Sequence, residues 1–118
     1  MSGLCMVVAA GLAVVTPSDH FTLAWIHSVE KAEWREDWRV ESGRLILHQA
    51  SAMGSGAGME PPPEAVLKGG RWVWHPNIVM EEIVLARSDF TADWRLCVDT
   101  VCRDLRKDDG QTRLRACL

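Results

Sequence analysis

The stretch Phe21-Thr22-Leu23-Ala24-Trp25-Ile26-His27-Ser28-Val29-Glu30-Lys31-Ala32-Glu33-Trp34-Arg35-Glu36-Asp37-Trp38 decides the fold class of this chain. Side chains alternate between faces along a strand. Phe21, Leu23, Trp25, His27 and Val29 therefore share one face of a first strand, and Trp34, Glu36, Trp38 and Val40 one face of a second. The two halves predict an antiparallel hairpin in which each apolar stripe is interrupted by one ionisable residue, His27 or Glu36. With Lys31-Ala32 as the central turn residues, His27 is expected opposite Glu36, Trp25 opposite Trp38 and Glu30 opposite Glu33, within cross-strand contact range. An ionised carboxylate raises the pKa of a neighbouring imidazole and desolvation lowers it. The pair reads either as a site or as a polar lock on strand register.

The same alternation extends outward in both directions. Leu4–Ala10 and Leu12–Thr16 read as strands separated at Gly11, followed by a turn at Pro17-Ser18-Asp19. Ser42-Gly43 makes a turn into a strand from Arg44 to about Met53, and Lys68-Gly69-Gly70 a turn before the short strand Trp72-Val73-Trp74. Glu82–Arg87 alternates again. A two-residue turn at Asp99-Thr100 sets Val98 against Val101, Cys97 against Cys102 and Arg95 against Asp104. Trp94, Leu96, Val98, Val101 and Leu105 then face the core, and two opposite-charge pairs (the second being Asp93 with Arg106) support the register. No long 3.6-residue period is present, and turn signals recur every eight to twelve residues. The expectation is an all-β chain with little helix: one domain over 1–118, an antiparallel β-sandwich of eight or nine short strands. The polar segment 107–118 reads as a frayed tail.

A chain of 118 residues can bury one core without metal or disulfide staples. Its hydrophobic content of 47% and charged content of 25% are those of an ordinary globular chain. A net charge of −3 argues against a nucleic-acid binder, which carries a basic footprint. Six tryptophans with no tyrosine make indole the main aromatic of the core and its rim. The apolar run Leu4 to Val15 is too short to span a bilayer as a helix. With Lys31 the first Lys or Arg, the run is expected to be a strand pair rather than a signal peptide, an uncleaved or degenerate export signal being the alternative. No transmembrane segment is expected, and the cytoplasm is favoured over a periplasmic or membrane-associated location.

Three groups of residues carry candidate chemistry. Cys97 and Cys102 fall opposite one another on the polar face and read as free thiols or as a cross-strand disulfide, while Cys5 and Cys117 stand alone in sequence. The loop Gly54-Ser55-Gly56-Ala57-Gly58-Met59-Glu60 lacks the Gly-Lys-Ser/Thr ending of a phosphate loop and the spacing of a dinucleotide fingerprint. Its successive N–H groups can still form an anion-binding nest, or simply connect two strands. His27-Ser28 with Glu36 does not make a hydrolase triad, because Ser28 points to the opposite face from His27. A metal site from His27, Glu30, Glu33 and Glu36 is disfavoured because Glu33 faces away from Glu36. No cofactor is expected.

Taken together, Phe21 through Lys31, Glu36, Gly54 through Pro61, Leu85-Ala86-Arg87-Ser88 and Leu96-Cys97 through Cys102 make the chain resemble the bacterial domain-of-unknown-function 1850 family. No activity is established for that family. The resemblance implies a setting: such proteins are often encoded beside TAXI-type tripartite ATP-independent periplasmic (TRAP) transporters, which import organic acids. It marks His27, Ser28, Glu30, Glu36 and Gly54 to Glu60 as the family's distinctive positions. Ala32 stands where relatives often carry a polar residue. The functional expectation is a non-enzymatic accessory or binding protein linked to organic-acid transport. Its partner would be a TRAP transporter subunit or a small organic acid, and its binding surface would include His27, Glu30, Lys31, Glu36, Gly54, Ser55, Gly56, Gly58 and Glu60. The alternatives are a small enzyme using His27 and Glu36 as an acid/base pair, and a purely structural interaction module.

Overall fold

The computed structural model describes residues 3–26, 33–53, 61–86, 94–105 and 111–117. Twelve strands lie among them: β1 (Leu4–Val8), β2 (Gly11–Thr16), β3 (His20–Ile26), β4 (Glu33–Glu41), β5 (Arg44–Met53), β6 (Val66–Lys68), β7 (Arg71–Trp74), β8 (Ile78–Met80), β9 (Ile83–Ala86), β10 (Trp94–Val98), β11 (Val101–Leu105) and β12 (Gln111–Ala116). A four-stranded sheet has the order β2-β1-β12-β9, and an eight-stranded sheet the order β11-β10-β3-β4-β5-β7-β6. The eighth strand, β8, pairs with the Leu45–Leu47 half of β5, while β7 pairs with the Ala50–Met53 half. Among the described residues no helix is long and apolar enough to cross a membrane.

The expected all-β sandwich is the fold found, with more strands than expected because β6, β8 and β12 are additional. Its core lies between the sheets. Leu4, Ile83, Leu85, Leu114 and Ala116 come from the small sheet, and Phe21, Leu23, Trp38, Val40, Leu45, Leu47, Leu96 and Leu105 from the large one. Each side chain of Leu or Phe size stabilises by about 1.5–3 kcal/mol when fully buried. Trp38 alone of the six tryptophans is buried in this core, and the other five are half-buried around it.

The β3–β4 hairpin keeps its predicted faces but not its predicted register. Trp25 lies opposite Trp34, Leu23 opposite Glu36, Phe21 opposite Trp38 and Ile26 opposite Glu33. The pairing of His27 with Glu36 is therefore corrected: Leu23 occupies that position, and the ladder has slipped by four residues. An even slip leaves every side chain on its own face, so the alternation could not distinguish the two registers. The observed one sets aromatic against aromatic: Phe21 and Trp38 stack at 6.3 Å and Trp25 and Trp34 at 6.0 Å. It sets Ile26 opposite Glu33, in place of the expected Glu30–Glu33 pair.

Further corrections concern the C-terminal segment and β11, and β5 carries a bulge. Residues 111–116, expected in a frayed tail, form an inner strand between β1 and β9, and Leu114 is fully buried. Val101, expected to face the core, is 73% exposed, because β11 is the edge strand of the larger sheet. In β5, Asp37 pairs with Gln49 but Trp38 pairs with Leu47, so His48 is the extra residue of a bulge. The bulge changes the phase of burial from Leu45 and Leu47 to Ala50 and Ala52.

All four cysteines are oxidised among the described residues: Cys97–Cys102 and Cys5–Cys117 are disulfides. This decides the open reading of Cys97 and Cys102, and pairs Cys5 and Cys117, which their sequence positions left alone. The β10–β11 hairpin matches its predicted register at Val98–Val101, Cys97–Cys102 and Arg95–Asp104.

Candidate functional site

One end of the sandwich collects the stems of four connections. The β3–β4 ladder ends at Ile26 and Glu33, and on β5 Ala52 lies opposite Trp34 with Met53 closing the strand. Trp94 opposite Leu105 and Ala86 opposite Gln111 close the other two pairs. His27, Glu30 and Lys31, and Gly54, Ser55, Gly56, Gly58 and Glu60, lie outside the described residues. The stems of their two segments are neighbours, because β4 and β5 are paired. Of the expected binding residues, Glu36 is the one that is described.

At this end the outer face of the large sheet carries a charge cluster centred on Glu33. Its carboxylate accepts from Arg35 Nε at 2.9 Å and from an Arg95 guanidinium nitrogen, and Arg71 lies 3.5 Å from the first oxygen. The strand order explains the convergence. Glu33 and Arg35 are on β4, Arg95 is two strands away on β10, and Arg71 is two strands away on β7. With strands about 4.8 Å apart, both long side chains reach inward across a neighbouring strand to the same carboxylate. Arg71 is held independently as well, donating to Ser51 Oγ at 3.1 and 3.2 Å and to the Glu33 carbonyl at 3.2 Å. Burial and the charge of Arg35 lower the Arg71 pKa from its usual value.

On the inner face of the same strand end sit Glu36 and an indole belt. Trp25 lies 4.2 Å from Trp94 and 6.0 Å from Trp34, and Trp34 meets Trp74 edge to face at 5.7 Å. Glu36 accepts from Trp38 Nε1 at 3.3 Å, and burial pushes its carboxyl above the ordinary carboxylate range despite that bond. The Trp34 Nε1 donor is buried without a hydrogen-bond acceptor among the described residues. Glu36 and Glu33 are thus on opposite faces of β4, as alternation requires. They belong to different environments.

A separate open groove of about 520 Å³ lies further along the outer face, lined among others by His20, Thr22, Asp37, Arg39, His48 and Asp99. Asp37 bridges its neighbours, accepting from Thr22 Oγ1 at 2.6 Å and Gln49 Nε2 at 3.1 Å. His20 contacts Asp99 at 3.1 Å and Asp19 at 3.3 Å, and these carboxylates raise its pKa. Burial and Arg39 lower that of His48. His20 pairs with Asp99, and Asp37 with Thr22 and Gln49, across adjacent strands, whereas Arg39 and His48 repel.

The guanidinium cluster escaped the reading of the sequence. Glu33 and Arg35, two residues apart on one strand face, were its local signal, but Arg71 and Arg95 join only through the sheet order. Against known proteins, the model of the family described as "Domain of unknown function (DUF1850)" matches residues 21–105. No curated protein and no solved structure matches the chain. The family match begins within β3 and ends with β11, enclosing Glu33, Arg35, Glu36, Arg71, Arg95 and the Cys97–Cys102 hairpin. By this match over most of its length, the chain belongs to the DUF1850 family.

Proposed function

We propose that this protein is a non-enzymatic binding or accessory protein of organic-acid transport, and that it takes a carboxylate at the connection-bearing end of the large sheet. The observation that carries this reading is the convergence of Arg35, Arg71 and Arg95 on the single carboxylate of Glu33. Guanidinium groups match carboxylates in geometry and charge. Among the described residues three guanidiniums contact this one carboxylate, with Asp37 on the same strand face and Asp104 opposite Arg95 as the further anions nearby. Partial burial strengthens attraction for a ligand anion. The neighbouring stems lead into the segments that carry His27, Lys31 and the 54–60 glycines, the residues expected to meet an acid.

A TAXI-type TRAP transporter subunit is the partner that fits this ligand class, on the genomic setting implied by the family resemblance. The two disulfides support an oxidising compartment, the periplasm or its membrane surface, over the cytoplasm. Titration calorimetry with a panel of mono- and dicarboxylates tests the binding. Arg35→Ala and Arg95→Ala are expected to weaken any bound acid tenfold or more. Unchanged affinity in both folded variants would remove the cluster as the site. Co-purification with the adjacent transporter, with and without the bound acid, tests the partner.

A further inference from the structure

Resting on that reading, we propose that Glu33 is a built-in occupant of the anion site and that a dicarboxylate binds by displacing it. The Glu33 carboxylate already shows how a ligand carboxylate would sit, with Arg35 at one oxygen, Arg95 at the other and Arg71 close to the first. Two features let the side chain leave while the site stays built. Glu33 is the first residue of β4, in the last described pair of the β3–β4 ladder, so swinging its side chain away breaks no pair further along the strand. Arg71 is anchored by Ser51 Oγ and by the Glu33 carbonyl, neither of which moves with the carboxylate. Ser51 is itself buried, which fixes that anchor.

Charge selects a dianion. With Glu33 withdrawn, three guanidiniums face one space, Arg95 reaching in over β3 and Arg71 over β5. A monocarboxylate replaces Glu33 charge for charge and gains little. A dicarboxylate brings a second negative charge to the same three guanidiniums. The internal carboxylate also sets a threshold, since weak anions cannot outcompete a tethered one. Glu33 is then a selectivity device as well as an ion-pair partner.

Calorimetric titration of the full chain with succinate and with butyrate tests this. Glu33→Gln removes the competing charge while keeping the size, and is expected to bind succinate at least tenfold tighter than the parent, with a smaller gain for butyrate. Succinate binding to the parent that is unchanged or weaker in folded Glu33→Gln overturns the displacement and leaves the carboxylate site standing. If neither the parent nor folded Glu33→Gln binds succinate, the site reading falls with it. Glu33→Asp keeps the charge on a shorter arm and serves if the Gln variant fails to fold by circular dichroism. It is expected to bind succinate tighter than the parent, and equal or weaker binding counts against displacement.

Discussion

Cys5 and Cys117 are bonded to one another with their Cα atoms 5.1 Å apart, joining the first strand of the chain to the end of the last. Cys5 is 3% exposed, and the backbone N–H of Cys117 donates to the Gly3 carbonyl at 3.0 Å, so the junction is packed and hydrogen-bonded. A crosslink between residues 112 apart in sequence removes much of the freedom of the unfolded chain. The paired substitution Cys5→Ala with Cys117→Ala is expected to cost about 2–5 kcal/mol. Urea denaturation of the two proteins measures it, and an unchanged midpoint would show that the bond adds nothing to the fold.

Leu114 is fully buried on β12, between β1 and β9, so the C-terminal strand holds the small sheet together. Leu114→Ala is expected to destabilise by about 2–5 kcal/mol, the range for a buried leucine. A chain ending at residue 106 is expected to lose cooperative unfolding altogether. Denaturant curves followed by tryptophan fluorescence distinguish this from a dispensable end, for which both changes would be silent.

Burial raises the Glu36 carboxyl pKa, so the folded state holds this proton to higher pH than the unfolded state. For an acid shifted in that direction, the folded state is favoured while both states are protonated. That advantage declines as pH rises from the unfolded value through the folded one. Glu36→Gln is expected to be the more stable protein at neutral pH and to show a shallower fall in stability above pH 4.5. Thermal melts from pH 4 to pH 8 check the sign, and a variant less stable than the parent at pH 7 would reverse it.

Asp99 and Asp19 raise the pKa of His20 above 6.5. The imidazolium stabilises the fold below its unfolded pKa, and this contribution is lost as pH climbs through the higher folded value. Because the group is well exposed, solvent screens the effect and the change in stability is small. A proton NMR titration is expected to place the His20 midpoint above that of a free histidine, and Asp99→Asn to bring it down. A midpoint indifferent to Asp99→Asn would remove the hydrogen bond as its cause.

How much could be read without the structure depended on what pinned each strand. The β10–β11 hairpin was legible pair by pair, because a two-residue turn, two cysteines and an opposite-charge pair all favour one register. In the β3–β4 hairpin the faces were legible and the partners were not, since period-two alternation survives any even slip. In β5 the alternation itself misleads: continued from Leu45 and Leu47 it would set Gln49 and Ser51 on the core face. The bulge at His48 turns Gln49 outward to Asp37 and brings Ala50 and Ala52 to the inner face. Of the proposed site, Glu33 and Arg35 were visible as a local pair, whereas Arg71 and Arg95 were two unremarkable surface cations.

By itself the sequence determined most strand-forming stretches, most turns and, outside the β5 bulge, the face on which most side chains lie, because these follow from steric rules acting within a few residues. The Ser42-Gly43 turn is one instance, with both residues at positive φ, a tight hairpin that glycine makes cheap. Only the tertiary structure decided that β12 lies inside a sheet, that Cys5 meets Cys117, and that β7 and β10 flank β4 at equal distance. Those choices follow from burying two sheet faces against one another, which depends on every strand at once. Arg71 and Arg95 reach the same carboxylate for that reason, although 24 residues separate them in the chain.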